Sequence, residues 1–273
     1  MPLSERQLAA FADKHTRQIP FDTSPRHLAG PGDARHVTHG LAAAGWIAVT
    51  DPLSAEIVLL SPDLRHRLQL DPQSTTSAWW RLRAEPTDNE PGWYAEFGEL
   101  VPAEVLAGFT DALIASPSFQ QDPWQPVTSS GWRRDSDGTA HSPDSMCHIE
   151  LRPLSEFSDR PSWHVETREP GHGRFPGPRI WHAHFDERTP AHLVGSFLTA
   201  LADRSPLQRG MYDHTGHYSA VQKSSPLRPQ QVVDAHTARI ESLRARARSA
   251  RRQQAKPATT PAQARTAPPA ARR

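Results

Sequence analysis

Arg67-Leu68-Gln69-Leu70-Asp71 alternates polar and apolar side chains, as a strand with one buried face does. The period of two returns at Trp93-Tyr94-Ala95-Glu96-Phe97, which sets Trp93, Ala95 and Phe97 on one face and Tyr94 and Glu96 on the other. With Ile47–Thr50, Val58–Leu60 and Ala78–Ala84 these segments predict a meander of about five short strands. Asp51-Pro52 and Ser61-Pro62-Asp63 supply tight turns, and connections this short favour antiparallel pairing. The period then changes. Val105, Leu106, Phe109 and Leu113 fall on one helical stripe behind Pro102, so a helix closes the unit and covers the apolar sheet face.

The whole pattern occurs twice, over residues 45–117 and 131–205. Gly45-Trp46, Ser61-Pro62-Asp63, Trp79, Glu85-Pro86, Phe97 and Phe109 find counterparts in Gly131-Trp132, Ser142-Pro143-Asp144, Trp163, Glu169-Pro170, Phe185 and Phe197. The offset drifts through 86, 81, 84 and 88, so the insertions fall between matching blocks, as loops around a common core do. Leu193, Val194, Phe197 and Leu201 repeat the helical stripe behind Pro190, with Thr189 as its N-cap. One strand is ambiguous. Trp80, Leu82 and Ala84 alternate as its apolar set in the first copy, whereas the aligned positions in the second are His164, Glu166 and Arg168. Either the second face is partly buried in the first copy or the register shifts between copies.

Outside the repeats, residues 4–18 predict a helix with Ser4 as N-cap and Gln7 in the reciprocal position. Pro20, Pro25 and Pro31 impose an extended segment, and a small-residue helix over 34–44 ends at Gly45. After Pro206 no sustained period appears, which predicts a connector loop. From Pro229 a helix of about 25 residues follows, with Val233, Ile240, Leu243 and Ala247 near heptad spacing. The resulting division is 1–21 helix and linker, 22–120 and 121–210 the two repeats, 211–228 connector, 229–255 basic helix and 256–273 tail. The fold class is α+β: two tandem antiparallel β-meanders, each closed by a C-terminal helix, then a basic helix. The tail, which holds Ala, Pro, Thr, Gln and Arg without a large apolar residue, is expected to be disordered.

Charge alters the picture at one end. Net charge is +1, but residues 239–273 carry +9 and the rest about −8, an acidic body with a basic arm. Of 31 basic residues three are lysine, which with abundant Ala and Pro suggests GC-rich coding and makes part of the arginine signal genomic. The single cysteine, Cys147, excludes an internal disulfide and suits a reducing cytoplasm. The polar N-terminus and the lack of a long apolar run predict a cytoplasmic protein with no membrane span.

The paired Ser-Pro-Asp turns in a tandem repeat resemble the SPDY family, domain-of-unknown-function family 317, whose members are similar two-copy proteins of streptomycetes. The Gly-Trp, Leu-x-Leu-x-Pro, Glu-Pro and Trp-x-Ala-x-Phe blocks extend the resemblance over about residues 22–250. The fourth motif position departs, being Leu64 and Ser145 in place of tyrosine. The resemblance implies an architecture and a taxonomic range but no activity and no catalytic residue.

Histidine, at 15 residues, is the enriched catalytic type. His182 and His184 share a strand face, where His148, His164 and Glu166 from neighbouring strands could join them around zinc or another borderline metal. The plain alternative is a solvated, histidine-rich face, and since the first copy has Tyr94 and Glu96 there, no metal and no cofactor are expected. Cys147 and His148 point to opposite faces and make no nucleophile–base pair. Walker-type, Gly-x-Ser-x-Gly and His-Glu-x-x-His motifs are absent. Tryptophans paired between copies suit core positions, which leaves Trp80 and Trp124 as candidates for a surface role. Arg244, Arg246, Arg248, Arg251 and Arg252 could neutralise phosphates; a solubilising tail, or an arm folded back on the acidic body, are the alternatives. The chain therefore reads as a non-enzymatic scaffold that binds a protein partner. The second reading is a nucleic-acid-associated factor that uses the arginine arm.

Overall fold

Ser4 and Gln7 form the reciprocal cap that their spacing predicts. The Gln7 N–H donates to Ser4 Oγ at 3.3 Å, the Ser4 N–H donates to Gln7 Oε1 at 2.9 Å, and α1 spans Glu5–Thr16. The computed structural model describes residues 3–51, 53–114, 122–153, 161–172 and 175–254, so the expected disordered tail, 256–273, lies outside the described residues. Strand β1 (Pro20–Ser24), a 3-10 turn at Arg26–Leu28 and α2 (Arg35–Ala43) follow α1. At the end of α2, Gly45 takes φ +91°. Its N–H donates to Ala42 O while the Trp46 N–H donates to Leu41 O, the paired bonds that close a helix through a left-handed residue.

The first meander is β2 (Ile47–Ala48), β3 (Ile57–Leu60), β4 (His66–Leu70), β5 (Ala78–Ala84) and β6 (Trp93–Gly98), closed by α3 (Ala103–Ile114). The second begins at α4 (Gln125–Ser129), whose end repeats that of α2: Gly131 has φ +84° and the Trp132 N–H donates to Val127 O. Then come β7 (Arg133–Arg134), β8 (Thr139–His141), β9 (Cys147–Pro153), β10 (Pro161–Arg168), β11 (Arg179–Phe185) and α5 (Ala191–Ala202). Thr189 does not cap α5. Its hydroxyl donates to Asp186 and to Tyr94 O instead.

The two meanders are one sheet. Their last strands, β6 and β11, pair antiparallel through Ala95↔Phe185, Glu96↔His184 and Phe97↔Ala183, giving the ten-strand order β2-β3-β4-β5-β6-β11-β10-β9-β8-β7. Beneath the seam Phe97, Phe109, Phe185 and Phe197, two from each repeat, sit with ring centroids 5.2–5.6 Å apart. The repeats therefore share one hydrophobic core, and α3 and α5 lie side by side over it.

The ambiguous strand is settled by register. Trp80 stands opposite Phe97 and Leu82 opposite Ala95, as Trp163 stands opposite Phe185 and Val165 opposite Ala183. Trp80 is thus the partner of Trp163, one place from the Trp79 pairing that alignment suggests, because the register slips between Ala78 and Trp80. Trp80 and Trp124 are both buried and have no surface role; Trp124 packs on Trp163 at 4.7 Å.

The connector also differs from expectation. Leu207–Gly210 and Val221–Ser224 are strands, β12 and β13, that flank β1 in a second, three-stranded antiparallel sheet. Four-residue strands are too short to show a period, and their partner lies at the other end of the sequence. From β12 the buried Arg209 donates to Ala29 O, Gly30 O and both oxygens of Glu104 on α3, tying this sheet to the helical layer. The last helix, α6 (Pro229–Gln254), lies against α1, α2 and α3 and buries Val233, His236, Ile240, Leu243 and Ala247.

Candidate functional site

The Ser-Pro-Asp motifs form strand-joining turns. Each joins two strands, β3 to β4 and β8 to β9. In each, the serine Oγ donates to the aspartate at 2.5 Å and accepts a backbone N–H, from His66 at 2.8 Å or Cys147 at 2.9 Å. The aspartate accepts the N–H two residues on, and the fourth position takes a left-handed φ, +61° at Leu64 and +60° at Ser145. In the second copy Asp144 also holds the buried His27, Nε2 to Oδ2 2.9 Å. Burial works to raise the Asp144 carboxyl, but the bonds from His27, Ser142 and the Met146 N–H hold it down at about 2.

Period-two alternation puts the apolar side chains of the ten-stranded sheet against the helices and leaves a second, open face. Across its centre stand Arg81, Arg83, Tyr94, Glu96, His182, His184, His164, Glu166, His148, Glu150 and Arg152, most of them half-exposed. Charges of both signs are interleaved. Glu150 pairs with Arg152 at 2.6 Å, Glu166 with Arg168 at 2.8 Å and Arg179 at 3.6 Å, and Glu96 with His182 at 3.6 Å. The His182 contact, opposed by burial and aided by the Tyr94 hydroxyl, holds the Glu96 carboxyl down at about 2. Burial pushes the imidazoles of His148, His164 and His184 below their ordinary range, so all three are neutral at pH 7. A hollow of about 350 Å³ lies on this face between His141, His148, His164, Glu150, Glu166 and Arg168.

The three metal candidates all reach this face without converging. His164 and His184 lie ring against ring at 4.6 Å, His164 Nε2 is 3.1 Å from Ser162 Oγ, and His182 turns to Glu96. Among the described residues no group of three or more His, Cys, Asp or Glu side chains is placed to hold a metal ion. The closest approach of imidazole nitrogens on this face joins the candidate His148 to His141, which the sequence did not single out, Nδ1 to Nδ1 2.9 Å. Cys147 faces the core with its thiol pushed up to about 12 by burial, on the opposite side from His148.

The arginine arm is docked rather than free. Arg239, at its start, donates to both oxygens of Asp111 and to His36 O. Arg244 reaches Leu3 O at 3.2 Å and Arg251 reaches Ala44 O at 2.5 Å, while Arg246, Arg248 and Arg252 stay exposed. Arg204 does for the second copy what Arg251 does for the first. It donates to Ser130 O, the carbonyl just before the left-handed glycine. The heptad spacing of α6 was the signal for this docking, and its basic composition masked it.

The family model of SPDY, a domain of unknown function (DUF317), matches the chain over residues 60–119 and 141–207. No curated protein and no solved structure matches. Each matched segment runs from a Ser-Pro-Asp turn through the closing helix, so the chain carries two SPDY matches, each taking in the last three strands of one half of the ten-stranded sheet and the helix that closes it.

Proposed function

We propose that the protein is a non-enzymatic interaction module whose open sheet face receives a protein partner. The observation that carries this reading is the interleaving of Glu96, Glu150 and Glu166 with arginines and histidines across that face. A phosphate backbone is drawn by cations of one sign and repelled by carboxylates set among them. A protein surface can match such an alternation pair by pair, which gives register and specificity. The size also fits: ten strands at ~4.8 Å spacing, each about five residues long, present on the order of 800 Å², the share one partner gives to a standard interface. The motif residues and Cys147 are engaged in turns and core, which supports a binding rather than a chemical role. The lone buried cysteine fits a reducing cytoplasm, and among the described residues no helix is long and apolar enough to cross a membrane.

Charge reversal on the face tests the reading. Glu150→Arg with Glu166→Arg should abolish retention of a partner from cell extract, and nuclease treatment should leave wild-type retention intact. A partner that binds the reversed face equally well would contradict the proposal.

A nucleic-acid role for the arm is the second reading, favoured by the exposed Arg246, Arg248 and Arg252. Arg244 and Arg251 would contribute to it only on leaving their carbonyls. That reading requires retention that falls steeply with salt, vanishes with nuclease and is lost when these five arginines become glutamine.

A further inference from the structure

His39 of α2 and His236 of α6 meet in the interior, Nδ1 to Nε2 3.2 Å, at the point where α6 crosses the N-terminal helices. Phe11 of α1 lies flat on the His236 ring, centroids 3.8 Å apart, with His15 against it at 4.1 Å and His36 edge-on to it at 5.6 Å. A hydrogen bond between two imidazoles needs one ring to accept, so it exists only while at least one ring is neutral. The second nitrogen of His236, Nδ1, is buried with no partner.

Asp33 favours a proton on either ring, but burial and the neighbouring cations and histidines oppose it more strongly. Lys14 and His15 stand on α1, Asp33 precedes α2, Arg35 and His36 lie on α2, Glu104 and Asp111 on α3, Arg209 on β12, and Arg239 and Arg246 on α6. Each of the three carboxylates already has cations: Asp33 holds Lys14, His15 and Arg35, Glu104 holds Arg209, and Asp111 holds Arg239.

We propose that α6 is an acid-released arm: the neutral His39–His236 pair latches it to α1 and α2, and protonation of that pair undocks it and frees its arginines. Burial, then the neighbouring cations and histidines, lower the His39 ring to about 4 and the His236 ring to about 2. Released rings would titrate near the ordinary ~6.5. Docking is therefore complete above that pH and weakens as pH falls toward the docked values, by up to about tenfold per pH unit for each histidine. The inference is independent of which partner uses the open face.

A nitroxide label at Ser249→Cys reads the release directly, because Cys147 is buried with its thiol held protonated and stays unlabelled. Above pH 7 the spectrum should show one restricted component. Between about pH 6 and 4 a mobile component should grow while the near-UV circular dichroism of the eight tryptophans, none of them in α6, is unchanged. In the His39→Leu/His236→Phe variant the mobile component should stay absent through that window. Should the double variant fail to fold, His236→Phe alone, which keeps a ring against Phe11, should make the wild-type transition less steep. A label that stays restricted until the tryptophan signal collapses would overturn the proposal, as would an unaltered transition in the variants.

Discussion

Phe97 and Phe185 meet edge to face across the seam between the repeats, ring centroids 5.4 Å apart and planes at 80°. Each lies directly behind the strand pair that joins the two meanders, so neither half can lose its phenylalanine without opening the other. Phe97→Ala and Phe185→Ala should each cost about 3–5 kcal/mol, and denaturation should remain one transition by tryptophan fluorescence and far-ultraviolet dichroism. Two separated transitions would show that the halves fold independently.

Phe109→Ala and Phe197→Ala remove the helical side of the same cluster and should cost about 3–5 kcal/mol each. Gly108 permits the close approach of α3 to α5, since a Cβ there would stand 2.6 Å from Ala200 Cβ. Gly108→Ala should therefore destabilise by about 1–3 kcal/mol through overpacking, against the ~1 kcal/mol that the same change gains in an exposed helix. A stabilised variant in chemical denaturation would refute this contact.

Arg209 is buried with Glu104 as its ionic partner, so removing one member alone strands a charge. Arg209→Met should cost about 3–5 kcal/mol, and Arg209→Met with Glu104→Met should recover much of it. Equal loss in the single and double variants, by denaturant midpoint, would argue against a coupled pair.

Asp144 is held near 2 by His27, Ser142 and a backbone N–H against the pull of burial. A carboxyl lowered on folding contributes stability that is present above its ordinary ~3.9 and is lost as pH falls through the folded value. Wild-type stability should therefore drop between about pH 4 and 2, and Asp144→Asn should flatten that part of the profile. An unchanged slope would show that the His27 contact carries no net energy.

Features set by near neighbours were legible in the chain. The Ser4–Gln7 cap, the helix end at Gly45, the alternating strands and the stripes under Phe109 and Phe197 depend on residues a turn or two apart. Features set by distant pairing were not. β12 and β13 gain their strand character only from β1, and nothing local separates the inner strands from β6 and β11, which join the halves. The slip that makes Trp80 the partner of Trp163 arises at a bulge that alignment of similar residues conceals. Of the site, period two correctly grouped His182 with His184, while the contacts His182–Glu96 and His141–His148 follow from register alone. His236 was hidden because a polar residue at a heptad position reads as surface.

The central claim is that the open sheet face takes the partner, and carbethoxylation of histidines on the captured complex tests it most directly. His141, His148, His164 and His184 lie on that face, whereas His192 on α5 lies on the helical side. The account predicts that bound partner protects the four face histidines and leaves His192 as reactive as in the free protein. Unchanged labelling of the four with partner bound would contradict it.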